Sequence, residues 1–161
     1  MIKAIVYKSK TGHTEKYAKL IGKKLNIPCY ALKEAKTKLM KNDEIIYLGW
    51  VCATKIMGLK KSSKNYKINC CGAIGAYPKT NKNIQNLKKL NNIKTPIFYM
   101  QGGIDYNKLN KIYIKLLQAI GKEIQNRNDN LDKEIVEMFE KGKSFVCEEN
   151  IKEIINYINN N

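Results

Sequence analysis

The segment YKSKTGHTEKYA (residues 7–18) follows directly on the apolar run IKAIVY (residues 2–7) and sets the pattern of the fold. The apolar run predicts a first β-strand, and residues 14–25 predict a helix with one apolar face. A strand, a small polar loop and a helix in this order indicate the first unit of an α/β protein. The hydroxyl and glycine positions of the loop are Ser9, Thr11, Gly12 and Thr14.

This first loop has the composition of an anion site. The first amides of a helix lack partners within the helix and carry a partial positive charge, and Gly12 lets the backbone approach an anion closely. The simpler interpretation is a loop whose Ser and Thr side chains only cap the helix, but three hydroxyls with a glycine favour phosphate. The GxxxxGK[ST] and GxGxxG patterns of nucleotide-binding loops are absent, so we expect a single monophosphate.

Strand and helix patterns alternate through the rest of the chain. Short, almost wholly apolar strands that alternate with helices are typical of a parallel, doubly wound sheet covered on both faces. Ligands of such sheets lie beyond the carboxyl ends of the strands, so the loops there are expected to border one crevice. The further strands are predicted at 29–32, 44–50, 68–77 and 96–103, and the further helices at 81–92, 105–124, 131–141 and 149–158.

The composition describes a basic protein of 161 residues with a net charge of +16. The charge indicates either an acidic partner or a general drift in composition, and the scatter of Lys over every segment favours the drift. No apolar run approaches the about 20 residues of a membrane span, and no signal peptide is visible. Five cysteines without a CxxC spacing predict reduced thiols and a cytoplasmic location. His13 is the only histidine, so no metal site is expected.

The residues from Ile5 to Thr14, followed by Ala18, resemble the flavodoxin signature. In that signature two apolar residues and an aromatic precede Ser or Thr, a small residue and Thr, and alanine stands four residues later. The resemblance implies a flavodoxin-like three-layer α/β/α sandwich with a five-stranded parallel sheet of order 2-1-3-4-5. Residues 1–161 then form one domain with a C-terminal helical extension from about 125. That layout is similar to the menaquinone-dependent protoporphyrinogen oxidase-like subgroup of flavodoxin-domain proteins.

The resemblance implies FMN as the cofactor and no catalytic side chain. The flavin ring would lie between the loop after the third strand and the loop after the fourth, and two glycines after the fifth strand would border it. The phosphate-binding residues would be Ser9, Lys10, Thr11, Gly12, His13 and Thr14. The residues around the ring would be Trp50, Val51, Cys52, Ala53, Thr54, Gly75, Ala76, Tyr77, Gly102 and Gly103.

The function implied by the resemblance is that of an FMN-binding redox protein. Electron carrier and FMN-dependent oxidoreductase, including a quinone-linked protoporphyrinogen oxidase-like enzyme, both remain open. The expected partner is a redox protein, with an acidic surface suiting the basic chain, or a quinone. The alternative is a cofactor-free basic interaction module on the same fold; nucleic acid is not the expected partner, since no aromatic and basic binding motif is present.

The predicted helix at 105–124 has two interpretations. Its apolar stripe suits a helix packed on the sheet with its lysines in solvent. The stripe and the neighbouring lysines also suit peripheral contact with an anionic membrane at the inner face of the cell.

Overall fold

The protein is built around one main sheet, seen in a computed structural model that describes residues 1–126 and 133–161. Its strands lie in the order β2-β1-β3-β5-β6, and all four neighbouring pairs are parallel. This order confirms the predicted 2-1-3-4-5 arrangement, because the short β4 only turns back along the end of β3. The strands are β1 (Ala4–Lys8), β2 (Cys29–Ala31), β3 (Glu44–Cys52), β4 (Lys55–Ile56), β5 (Lys67–Gly75) and β6 (Ile97–Gln101).

Helices cover both faces of this sheet, which gives the predicted three layers. Helices α1 and α7 pack on one face, and α2, α3 and α4 pack on the other. The helices are α1 (His13–Leu25), α2 (Ala35–Lys38), α3 (Leu59–Asn65), α4 (Asn81–Leu90), α5 (Lys111–Asn126), α6 (Lys133–Lys141) and α7 (Lys152–Asn159).

Neighbouring residues of the central strands serve opposite layers. Cys70 packs with the residues under α1 and α7, whereas Cys71 packs with those under α3 and α4. The alternation follows from the two-residue period of a strand and explains why both faces of the strand are apolar. Burial raises the pKa of the Cys70 thiol to about 12, so this cysteine is a neutral core residue.

The chain between β6 and α7 forms a separate subassembly. It contains β7 (Gly103–Ile104), a 3₁₀ helix (Tyr106–Lys108), α5, α6 and β8 (Lys143–Ser144). Strands β7 and β8 pair antiparallel, and α5 packs on α6 where Gly121 meets Phe139. The layer helix after β6 is therefore α7, near the C-terminus, and residues 103–144 are inserted before it. The first two residues of the predicted helix 131–141 lie outside the described residues.

Three elements near the middle of the chain were not predicted. Helix α2 is one turn long, and α3 has the polar sequence LKKSSKN, in which only Leu59 and Ser62 are buried. A helix with so few apolar positions gives almost no periodic signal. The third strand was predicted to end at residue 50, but β3 continues to Cys52 and pairs with β4. The prediction of where the following loop begins was therefore wrong. Among the helices formed by the described residues, none combines the length and apolar character needed to cross a membrane.

Candidate functional site

The loop between β1 and α1 presents an open helix N-terminus. Gly12 is the N-cap of α1 and adopts a left-handed conformation with φ of 98°. Its amide donates to Ser9 Oγ at 3.0 Å, and its carbonyl accepts the first helical hydrogen bond, from the Lys16 amide, at 2.9 Å. The amides of the first turn, residues 13–15, precede that bond and have no partner within the helix. The N-cap residue has no side chain, so the loop does not cap the helix in the ordinary way.

The side chains of the loop turn partly into the protein. Thr11 Oγ1 lies 3.0 Å from His13 Nδ1, and the side chains of His13 and Thr14 are buried. Burial lowers the pKa of His13 below its ordinary value of 6.5; Lys16 and Lys108 lower it further, and Asp105 opposes them. His13 is therefore a neutral imidazole at neutral pH, and the positive charges beside the loop come from lysines.

Lys108 is a residue of this site that the sequence did not reveal. A Cβ at Gly12 would lie 2.8 Å from Lys108 Nζ, so the ammonium group lies directly against the glycine of the loop. Lys108 ends the 3₁₀ helix of the insertion, and its Nζ lies 3.9 Å from Asp105 Oδ2. No local pattern connects residues so far apart in sequence. By contrast, Lys10 directs its Nζ over the Tyr113 ring of α5, 4.7 Å from the ring centre.

The ends of β5 and β6 meet the first loop at the same edge of the sheet. The Gly102 amide donates to the Gly75 carbonyl at 2.7 Å, and a Cβ at Gly102 would lie 3.3 Å from His13 Cβ. Glycine at 102 thus permits the close approach of two loops. Gly103 instead faces β8, because a Cβ there would clash with the Lys143 carbonyl oxygen.

Residues of β6 hold the loop after β5. The Tyr99 hydroxyl donates to the Tyr77 carbonyl at 2.7 Å, and Gln101 Nε2 donates to the Ala76 carbonyl at 3.1 Å. Ala76 and Tyr77 lie beyond the end of β5, which the sequence had predicted to reach residue 77. The Tyr77 ring packs against Phe139 of α6, with ring centres 5.6 Å apart, and remains partly exposed.

The loop after β3 is a tight hairpin. Val51 pairs with Ile56 and Cys52 with Lys55, which leaves Ala53 and Thr54 as a two-residue turn. The side chains from Cys52 to Thr54 are exposed. Trp50 lies within β3, and its indole Nε1 is buried without a hydrogen-bond partner in the described part of the chain. An unsatisfied buried donor is costly, so this nitrogen is available to an acceptor on a ligand.

A small cavity separates this hairpin from the loop after β5. Its volume is about 160 Å³, below the about 300–1,000 Å³ of typical ligand pockets. Trp50 and Gly75 are not among its lining residues. The lining residues are Val51, Ala53, Thr54, Tyr77, Asn83, Asn86, Leu87 and Tyr99. The structure therefore brings four of the predicted ring contacts around one cavity, which in this form is too narrow to enclose a flavin ring.

Ala53 occupies a strained position, which makes the hairpin a site for a stabilising substitution. Its φ of 52° is left-handed, and a hairpin turn with positive φ at the first central residue favours glycine. Ala53→Gly is expected to raise the free energy of unfolding by about 1 kcal/mol, since the steric cost of the left-handed conformation disappears. Urea unfolding measures the change. Thr54→Gly is the matched control and should be destabilising, because Thr54 has a negative φ; equal destabilisation by both variants would contradict the assignment of strain.

Comparison with known proteins agrees with this geometry. A family model described as a flavodoxin domain matches residues 4–159, almost the whole chain. No curated protein matches the sequence. Domains of that family typically bind flavin. The match, the strand order and the loops gathered at the carboxyl edge of the sheet show that this chain belongs to the flavodoxin domain family.

Proposed function

We propose that this protein binds FMN and acts in electron transfer or flavin-dependent oxidation and reduction. The observation that carries the proposal is the first loop, in which an open helix N-terminus, a left-handed Gly12 and the Lys108 ammonium group converge. Amides at a helix N-terminus with an adjacent cation suit a dianionic phosphate. Bound FMN would supply the redox chemistry, whereas the protein supplies binding, orientation and electrostatics.

The residues present fit the phosphate end of FMN more completely than its ring. Three of the ring contacts inferred from the resemblance, Val51, Ala53 and Thr54, face Tyr77 across a cavity of about 160 Å³. We propose that the β3–β4 hairpin and the loop after β5 move apart when the ring binds. The turn residues of the hairpin are exposed and Ala53 is strained. Asn91 is hydrogen-bonded to the Ile56 amide and the Thr54 carbonyl, so the movement requires these bonds to break or Asn91 to move with the hairpin.

Equilibrium dialysis of the 161-residue chain against FMN tests the proposed function. We expect one FMN per chain, with visible flavin absorbance retained by the protein after free flavin is removed. Absence of FMN binding up to millimolar concentration would contradict the proposal and favour the cofactor-free basic module. The same experiment with FAD shows whether the site accepts a phosphate that carries a further nucleotide.

We propose that the insertion before α7 serves the redox partner, which would be an acidic protein or a quinone. The insertion is also the feature that supports the resemblance to the menaquinone-dependent protoporphyrinogen oxidase-like subgroup. It lies beside the phosphate loop through Lys108 and through the contact of Tyr113 with Lys10. A partner held by α5 would therefore be close to the proposed cofactor.

Peripheral contact of α5 with an anionic membrane is a testable part of this proposal. Ile112 and Leu116 are 78% and 54% exposed, and Lys111 and Lys115 adjoin them on the same helix. We expect co-sedimentation with phosphatidylglycerol vesicles at low salt, since each lysine near such a surface contributes about 1 kcal/mol. Ile112→Ser with Leu116→Ser should reduce the bound fraction severalfold. Met40→Ser, at another exposed apolar residue, is the control; absence of vesicle binding by the unmodified protein would rule out the membrane interpretation.

A further inference from the structure

A second and larger concavity lies on the α3–α4 face of the sheet, away from the first loop. Its walls are β4, the start of α3 and residues 90–95, and we name it the α3–α4 groove. Its volume of about 880 Å³ falls within the range of ligand pockets. Its apolar lining includes Met57, Ile68, Leu90 and Ile93. Leu90 is 59% exposed, so part of this apolar surface is still in contact with water.

The charge of the α3–α4 groove has one sign. Four lysines line it, and no aspartate or glutamate is among its described lining residues. None of the four has a carboxylate within 4.0 Å in the ion pairs formed by residues 1–126 and 133–161. Lysines elsewhere on the surface, such as Lys19 and Lys143, do have glutamate partners. The four groove lysines are Lys55, Lys60, Lys61 and Lys94.

The Asn91 side chain ties the β3–β4 hairpin, which forms one wall of the groove, to the end of α4. Asn91 Oδ1 accepts from the Ile56 amide at 2.9 Å, and Asn91 Nδ2 donates to the Thr54 carbonyl at 2.7 Å. These bonds join the end of α4 to β4, so the groove is already formed in the absence of a ligand. The groove and the 160 Å³ cavity have no lining residue in common, so the groove is a different site from the proposed cofactor cleft.

We propose that the α3–α4 groove binds an amphipathic organic anion, with an apolar body and a carboxylate, sulfonate or phosphate group. Removal of the apolar lining of the groove from water is favourable when an apolar part of the ligand covers it. The unpaired lysines, in turn, select a ligand with an anionic group. The concave shape and volume suit a compact molecule of this kind better than a stretch of acidic polypeptide, which would need a longer surface. The inference does not depend on FMN binding.

Titration of the 161-residue chain with anilinonaphthalenesulfonate, a fluorescent amphipathic anion, tests the proposal. We expect one saturable site that persists when one equivalent of FMN per chain is present. Lys61→Glu with Lys94→Glu should weaken binding of the dye by about tenfold or more, because attraction becomes repulsion. Lys23→Glu with Lys36→Glu is the matched control, because it makes the same change in net charge at exposed lysines outside the groove lining and outside α5. This variant should bind the dye like the unmodified protein.

Two further arms separate the apolar and the ionic contributions. N-phenylnaphthylamine, which lacks the sulfonate, should bind the unmodified protein and the Lys61→Glu/Lys94→Glu variant equally. Leu90→Gln should weaken both dyes, with Met40→Gln as its control. The proposal would be overturned if the groove and control lysine variants lost affinity for anilinonaphthalenesulfonate equally. Full displacement of the dye by hexaglutamate would also overturn it, because that result would indicate an acidic polypeptide as the occupant.

Discussion

Riboflavin is expected to bind this protein about a hundredfold to ten-thousandfold more weakly than FMN. The two flavins differ only in the phosphate, which the open first turn of α1 and the hydroxyls of the loop would hold. Two or more charge-assisted hydrogen bonds of about 1.5–3 kcal/mol each are then lost, which corresponds to the stated range of affinity. Quenching of flavin fluorescence at matched pH and salt measures both affinities. Equal affinities would contradict the assignment of the first loop to phosphate.

A double substitution in the loop gives the same test from the side of the protein. Thr11→Ala with Thr14→Ala is expected to weaken FMN binding by about 2–4 kcal/mol and to leave riboflavin binding nearly unchanged. Thr14 is only 1% exposed, so its removal also disturbs packing. Urea unfolding of the variant therefore accompanies the titration, and Ser63→Ala, at an exposed hydroxyl of α3, is the control.

The strand–loop–helix structure of the first loop could be predicted from the sequence, because it is built from neighbouring residues. The loop from Ser9 to Thr14 connects a strand and a helix that follow one another directly, so its composition, its glycine and the start of α1 can be interpreted locally. The sheet order was predictable for a related reason. Apolar strands that alternate with helices leave few right-handed arrangements, and the flavodoxin resemblance selects one of them.

The unpredicted features depend on contacts between distant residues. Lys108 lies against Gly12 through the fold of the insertion, in which β7 pairs with β8. The β3–β4 hairpin has no glycine or asparagine at its turn to indicate it, and Ala53 adopts the left-handed conformation that such a turn requires. A helix at 149–158 was predicted and is present as α7 with the turn before it, but its packing on the sheet was not. The sequence alone does not distinguish it from α5, which has an equally apolar stripe but leaves large apolar residues exposed.

Lys108→Gln is expected to weaken FMN by about five- to thirtyfold and to leave riboflavin binding unchanged. An ammonium group against the phosphate loop would form a charge-assisted hydrogen bond, but the Lys108 side chain is 53% exposed, so water screens part of the interaction. We therefore expect the substitution to cost about 1–2 kcal/mol of FMN binding free energy, which is less than the loss of a buried charged pair would cost. Titration with both flavins at two salt concentrations measures the effect, which should shrink as ionic strength rises.

Two control variants distinguish a contact with phosphate from a general loss of charge. Lys111→Gln removes a lysine from the start of α5, close in sequence to Lys108 but not in contact with Gly12, and FMN affinity should stay the same. Asp105→Asn should tighten FMN, because Asp105 Oδ2 lies 3.9 Å from Lys108 Nζ and competes with phosphate for that ammonium group. In the double variant Lys108→Gln/Asp105→Asn most of that gain should disappear, since Asp105 then has no Lys108 charge to compete for. If Lys108→Gln and Lys111→Gln weaken FMN equally, Lys108 acts only through the net charge of the protein and does not contact the phosphate.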